Sequence, residues 1–276
     1  MPEELLSKFP HFRDVAMHVA KLVNNVRSYL SCDQGLLEIE VRMGRHTSTG
    51  FDANVGNQNF CSILGLLDSY QRWTRVSPWQ ETHDVYYSVK LPHAEGERAV
   101  QVRTSVGVNA TGDIEISHTH KRRIDHLDME LHQVDSGSCS VNVNRTDQGF
   151  DARVAASVEQ NIPAELLPIA VSPELVRIKQ RKRYFLGSLG VNQETFSFDL
   201  SIVYSGATKS EAEQRQSAQK SPTYEIEIEC LQPGAYLHSA GGEDIMLALS
   251  LVMKAHDFAS AIVPDQTVTY MPVASR

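Results

Sequence analysis

The chain has 276 residues, 41% of them hydrophobic, and a formal net charge of −8. That length and apolar content support a folded core and exclude the disordered class. The acidic balance excludes a protein that wraps a nucleic-acid backbone with an extended basic face, leaving engagement of a nucleic acid at its tip. No apolar run reaches the roughly 18 residues of a membrane span and no charged-then-apolar leader opens the chain, so an intracellular protein of one domain over residues 1–276 is expected, with no membrane partner.

In chain order, residues 1–35 hold an amphipathic helix over 11–30, where Phe12, Val15, Val19, Val23, Val26 and Leu30 recur at helical spacing. A charged strand follows near Leu36, and a second helix is expected near 60–74 through Phe60, Ile63, Leu64, Leu67 and Tyr70. From there the pattern is strand-like over 85–91, 99–106, 113–123, 129–131, 140–144, 151–159, 177–186, 196–204 and 224–230, with Gly, Pro, Asn or Asp turns between. The polar segment 205–222 reads as a flexible hairpin loop, and a third helix over 241–262 places Ile245, Leu249, Val252 and His256 on one stripe. So many strands with so few helices predict a mainly β, α+β architecture in which an antiparallel barrel closes its own edges over residues 36–230.

Three strands alternate charge with apolar residues: Glu38-Ile39-Glu40-Val41-Arg42, Arg177-Ile178-Lys179-Gln180-Arg181 and Glu225-Ile226-Glu227-Ile228-Glu229. Side chains on a strand point to opposite faces with a period of two, so each stretch has one ionisable and one aliphatic face. The same parity adds Arg103, the pair Lys121 and Arg123, the pair Arg153 and Glu159, and Asp199. A charged face can simply meet water, but three glutamates in a row stay ionised only where cations face them. If the ionisable faces point inward, the amphipathic helices must cover the apolar faces from outside, which gives a charged interior. Such a cavity suits a divalent cation bound to a polyphosphate, with carboxylates on the metal and Arg or Lys on phosphoryl oxygens.

In this order the strands resemble the triphosphate tunnel metalloenzymes, and within them the fungal and protozoan RNA 5′-triphosphatases of mRNA capping. The resemblance runs from about Leu36 to Cys230 and is carried by Glu38 and Glu40, by Arg177, Lys179 and Arg181, and by Glu225, Glu227 and Glu229. It implies an eight-stranded closed tunnel that hydrolyses the γ-phosphate of triphosphate-ended RNA. It further implies that Glu38, Glu40 and Glu229 ligate Mg²⁺ or Mn²⁺. Arg103, Lys179 and Arg181 would grip the γ-phosphate, with Lys121 and Arg177 supporting the triphosphate. Glu159 would orient the attacking water, and Asp199, Glu225 and Glu227 would brace the basic residues or water at the metal. The fungal members carry a Trp-containing docking segment for the guanylyltransferase, whereas no Trp precedes Glu38 here. In this the chain looks more like the protozoan members, and a monomer with a functional link to an RNA guanylyltransferase is expected. Nuclear localisation follows from the capping role alone.

Two other readings stand beside this one. The same tunnel could serve inorganic tripolyphosphate, thiamine triphosphate or nucleoside triphosphates, although those branches commonly use a Glu-x-Glu-x-Lys strand where Arg42 stands here. A non-catalytic barrel could instead bind an anion without metal, but its carboxylates would repel that anion. His118 and His120 share the parity opposite Lys121, so they are expected outside the tunnel in packing or surface roles. Trp73 and Trp79 are expected to pack. Cys32, Cys61, Cys139 and Cys230 lack paired spacing and read as reduced thiols, and the acceptor tripeptides at Asn109 and Asn144 read as chance.

Overall fold

The computed structural model describes residues 2–31, 35–90, 99–108, 111–131, 150–167, 172–187, 194–237 and 242–261. Helices α1 (Pro2–Lys8) and α2 (Arg13–Asn25) lead into strand β1 (Leu36–Thr47), which turns back as β2 (Gly50–Asp52) ahead of helix α3 (Asn57–Ser69). Strands β3 (Arg75–Val76), β4 (Gln80–Val89), β5 (Val100–Val108), β6 (Ile114–Leu131), β7 (Phe150–Asn161), β8 (Leu175–Gly187) and β9 (Glu194–Gly206) follow. Helix α4 (Lys209–Ser217), strand β10 (Thr223–Cys230) and helices α5 (Pro233–Leu237) and α6 (Glu243–Ser260) complete the described elements.

Eight strands form a ring in the order β1, β10, β9, β8, β4, β5, β6, β7, and β7 pairs back to β1 with every pairing antiparallel. Closure leaves the ring no unpaired edge. β2 and β3 lie outside it, paired to β1 and β8.

The apolar core lies outside the ring. Ile39, Val41 and Met43 of β1, Ala152, Val154 and Ala156 of β7, Leu200 of β9, and Ile226 and Ile228 of β10 are buried on the outer face. Val19 and Val23 of α2, Phe60 and Ile63 of α3, and Leu251 and Val252 of α6 belong to the same core. Burying these groups at roughly 25 cal/mol per Å² of apolar surface is the main force holding the ring to its helices. The outer face of the β5–β6 hairpin is not covered in this way, and Val108, Ile114 and Ile116 are exposed.

Several elements differ from the sequence reading. The segment 205–222 is not a flexible loop, because it contains α4. The Thr208 hydroxyl accepts from the Glu211 amide while the Glu211 carboxylate accepts from the Ala207 amide, a reciprocal cap. Ala212 then packs against Val176 and Ile178 of β8. The stretches 113–123 and 129–131 are one strand, β6, with a bulge at Ile124: Arg123 pairs with Ser157 and Asp125 with Ala156. β4 begins at Gln80, ahead of the expected 85. On α6 the fully buried side chains are Leu247, Ala248, Leu251, Val252 and Ala255, so the core-facing stripe is offset from the one expected through His256. The expected strand at 140–144, Cys32, Cys139, Asn109 and Asn144 lie outside the described residues, while Cys61 and Cys230 form no disulfide among the described residues.

Candidate active site in the tunnel

The strand parity carries the charged side chains inward. A cavity of about 550 Å³ is lined by Glu38 and Glu40 of β1, Arg103 of β5, Lys121 of β6, Glu159 of β7, Arg177, Lys179 and Arg181 of β8, Asp199 of β9, and Glu227 and Glu229 of β10. Glu225 completes the set from beside Arg177 and Lys179. The twelve residues to which the resemblance assigns roles are therefore brought to one lumen, as is Arg123, whereas Arg153 pairs with Asp128 outside that lining. His118 and His120 face outward, where His118 Nδ1 is 2.8 Å from the Thr104 hydroxyl and His120 Nδ1 is 2.9 Å from the Gln101 carbonyl. Trp73 packs on Tyr184 and Phe198, and its indole donates to the Leu67 carbonyl at 2.7 Å.

The charges are laid out as two walls. On one wall Glu40 is directly opposite Glu229 across β1 and β10, and Glu38 is on the same face of β1. On the other, β8 presents its arginines and Lys179, each beside a carboxylate of β9 or β10. Asp199 accepts from Arg181 at 3.2 Å and Arg183 at 2.8 Å. Glu225 pairs with Arg177 and lies 3.7 Å from Lys179. Glu227 sits 3.2 Å from Arg42. Asp199, Glu225 and Glu227 thus each lie beside basic residues. Lys121 pairs with both Glu38 and Glu40 of the carboxylate wall, and Arg103 stands 3.6 Å from Glu159.

Burial, followed by repulsion from Glu40, raises the Glu38 carboxyl to about 8. Burial and the nearby Asp199 raise Glu229 to about 7. Burial acts the same way on Glu227, but Arg42, Lys179 and Arg181 outweigh it and hold that carboxyl well below the usual range. Burial lowers the Lys179 ammonium in spite of Glu227. Arg177 is raised because Glu225 overcomes its desolvation. Burial and like charge thus disfavour the anions of Glu38 and Glu229, while neighbouring cations favour that of Glu227.

Whether a divalent cation fits can be judged from the donors. Among the described residues no three carboxylate, imidazole or thiol groups already stand as a closed ligand set. Glu38, Glu40 and Glu229 nonetheless supply hard oxygen donors on two adjacent strands, and two of them are destabilised as anions by burial and like charge. Asp199 Oδ1 and the hydroxyls of Ser157, Ser197 and Ser201 are buried without a protein partner. Buried polar atoms of this kind call for water or ligand partners. The residues fit Mg²⁺ or Mn²⁺, which prefer carboxylate and water oxygens.

The sequence reading left several lumen residues without a role. Arg42 and Arg183 line the cavity and extend the charged rows of β1 and β8 by the same period of two, a signal the alternation carried. Tyr86 and Gln101 also line it, and nothing in their sequence context distinguishes them from wall residues.

A closed antiparallel ring with its charges inside and its core outside has the architecture of the triphosphate tunnel fold. Solved structures with this fold include the S. pombe RNA triphosphatase Pct1, 13% identical, with a TM-score of 0.59 over 91% of this chain and 94% of that one. Pct1 in complex with the Spt5 CTD aligns over 90% of this chain at 12% identity and a TM-score of 0.58. The RNA triphosphatase domain of a trifunctional mimivirus mRNA capping enzyme is 14% identical, with a TM-score of 0.51 over 87% of this chain and 95% of that one. At these identities the likeness is one of fold. No family profile matches the chain, and no curated protein matches it in sequence.

Proposed function

We propose that the protein is a metal-dependent RNA 5′-triphosphatase that removes the γ-phosphate of triphosphate-ended RNA in the first step of mRNA capping. The observation that carries this reading is the meeting of a carboxylate wall, Glu38, Glu40 and Glu229, with a cationic wall, Arg103, Lys179 and Arg181, in one cavity of about 550 Å³. The fold shared with two RNA triphosphatases supports it. The whole chain acts as one tunnel unit and as a monomer, in the nucleus, ahead of an RNA guanylyltransferase.

Phosphoryl transfer asks for positioning and charge neutralisation more than covalent chemistry. Glu38, Glu40 and Glu229 would hold Mg²⁺ or Mn²⁺, which supplies Lewis-acid neutralisation of phosphoryl oxygen charge. Arg103, Lys179 and Arg181 hold the γ-phosphoryl group. Lys121 and Arg177 take the charge that builds on the leaving diphosphate. Glu159 orients a water and accepts its proton as the new P–O bond forms and the bond from the γ-phosphorus to the bridging oxygen breaks, which leaves inorganic phosphate and a diphosphate end.

The test is phosphate release from γ-labelled triphosphate-ended RNA with Mg²⁺, Mn²⁺ or chelator, beside ATP and inorganic tripolyphosphate. Metal-dependent release with the highest kcat/KM on RNA is expected. A preference for tripolyphosphate would reassign the tunnel to an inorganic substrate, and metal-independent phosphate binding without release would make it a receptor.

A further inference from the structure

We propose that the first nucleotide of the RNA sits at the Arg42–Arg177 end of the tunnel with its base stacked on Tyr86, so that this end selects a nucleoside-bearing triphosphate over a bare polyphosphate. This rests on the triphosphatase reading.

The two ends of the lumen differ in kind. At one end a cavity of about 460 Å³ is lined by Arg103, Arg181 and Arg183 beside Asp84, Glu115 and small groups such as Gly107 and Ser117. Asp84 is buried there and accepts from the Ser105 hydroxyl at 2.6 Å. Arg181 and Arg183 there pair with Asp199, and Arg103 stands 3.6 Å from Glu159. Among the described residues its lining holds no aromatic side chain.

At the opposite end stand Arg42, Arg177 and Arg123. Arg123 makes no ion pair among the described residues, and burial with the like charges of Arg42 and Arg153 holds its guanidinium below the usual range. A cation that makes no ion pair is where an incoming phosphate gains most.

Beside these cations the wall turns aromatic. Tyr86 supplies the aromatic ring among the residues lining the larger cavity, and its register partner on β8 is Leu175, the aliphatic side chain of that lining. Gln101 lines the same cavity and adds an amide able to meet a base edge. Tyr86 lines the same cavity as the phosphate-binding Arg177 guanidinium, from the strand that pairs with β8. Inorganic polyphosphate presents only anionic oxygens and gains nothing from Tyr86 or Leu175. A base stacked on an aromatic ring gains about 1–3 kcal/mol whatever its identity, which suits a triphosphatase that must accept any first base. This pose also points the leaving diphosphate at Lys121 and Arg177 and leaves the γ-phosphate facing Glu159.

The experiment compares wild type, Tyr86→Ala and Tyr86→Phe on triphosphate-ended RNA and on inorganic tripolyphosphate, with ADP and pyrophosphate binding measured by calorimetry. The expected result is a fall of about tenfold in the RNA-to-tripolyphosphate ratio of kcat/KM for Tyr86→Ala, with a matching loss of ADP affinity relative to pyrophosphate, while Tyr86→Phe keeps both ratios. Equal losses on both substrates, or a ratio lost in Tyr86→Phe, would assign Tyr86 to positioning Arg177 and overturn the proposal. Should Tyr86→Ala fail to fold, Tyr86→Leu tests the same loss of the ring. A wild-type protein that releases no phosphate from any substrate refutes the triphosphatase reading instead, and the ADP-against-pyrophosphate comparison still decides the role of Tyr86.

Discussion

Glu40 and Glu229 face one another across the seam where β1 meets β10 and the ring closes. Carboxylates directly opposed on adjacent strands repel, and here Glu40 is also 3% exposed and flanked by Lys121 at 3.2 Å and Arg42 at 3.1 Å. The closure of the barrel therefore places like charges together at the site assigned to the metal. Substituting Glu38, Glu40 or Glu229 by Ala should cost about 10² or more in metal-dependent phosphate release and weaken Mn²⁺ binding by calorimetry, with circular dichroism unchanged. Wild-type turnover in any one of them would remove it from the metal site.

The raised carboxyls give the metal-free protein a pH signature. The ordinary value for Glu38 and Glu229 is 4.5, and the fold raises them to about 8 and about 7. Groups raised in this way contribute stability that is fully present below their unfolded value and lost as pH rises through the folded one. In chelator, Tm should thus fall between about pH 5.5 and 8.5, and Mg²⁺ or Mn²⁺ should raise Tm more at the upper end, where no proton competes for the oxygens. Glu227 is shifted the other way, so its contribution is constant over this window and fades only in strong acid. A Tm that climbs with pH in chelator would contradict the burial and crowding of Glu38 and Glu229.

Asp199 is 2% exposed and serves two guanidinium groups at once. Asp199→Ala leaves Arg181 and Arg183 without their partner, and since both arginines keep partial contact with solvent the cost should be about 2–3 kcal/mol, below the range for a wholly buried pair. Urea titration measures it, and a change under about 0.5 kcal/mol would show that solvent screens the triad.

Arg181→Lys keeps the charge and loses the planar fork. Because a point ammonium cannot hold two oxygens in parallel, kcat/KM on RNA should drop by about tenfold or more. Kinetics matching the wild type would take Arg181 out of the phosphate site.

Thr208→Ala removes the hydroxyl that caps α4 and should lower stability by about 1 kcal/mol. No α4 residue lines the tunnel cavity, so phosphate release should be unaffected. A kinetic defect at matched folding would connect α4 to the lumen.

The site was legible in the sequence because its strands have chemistry on one face and core on the other, and a period of two keeps these apart. Glu225, Glu227 and Glu229 alternate with Tyr224, Ile226 and Ile228, so the wall and its packing can be read from the same eight residues of β10. β4 was harder to read. Asp84 faces the lumen while Glu81 pairs with His83 and accepts from Gln216 of α4 on the outer face, a polar contact, so its first half carries no apolar rhythm. Helix α4 has one buried side chain, Ala212, and hydrophobic spacing could not show it; its sequence signal was the Thr208-Ser210-Glu211 cap region alone. Tyr86 was invisible for another reason, since an aromatic in a strand is ordinarily core and only closure of the ring turns this one inward.

The bulge at Ile124 gives β6 something like a reading frame. Before it, odd-numbered residues such as Thr119 and Lys121 face the lumen; after it, the odd-numbered Met129 and Leu131 are buried in the outer core. One unpaired residue has moved every later side chain of the strand to the opposite face without breaking the ladder on either side. Insertions and deletions within these strands therefore act as frameshifts: an odd change exchanges chemistry for core unless a bulge absorbs it. Length variation in a tunnel of this design belongs in its turns.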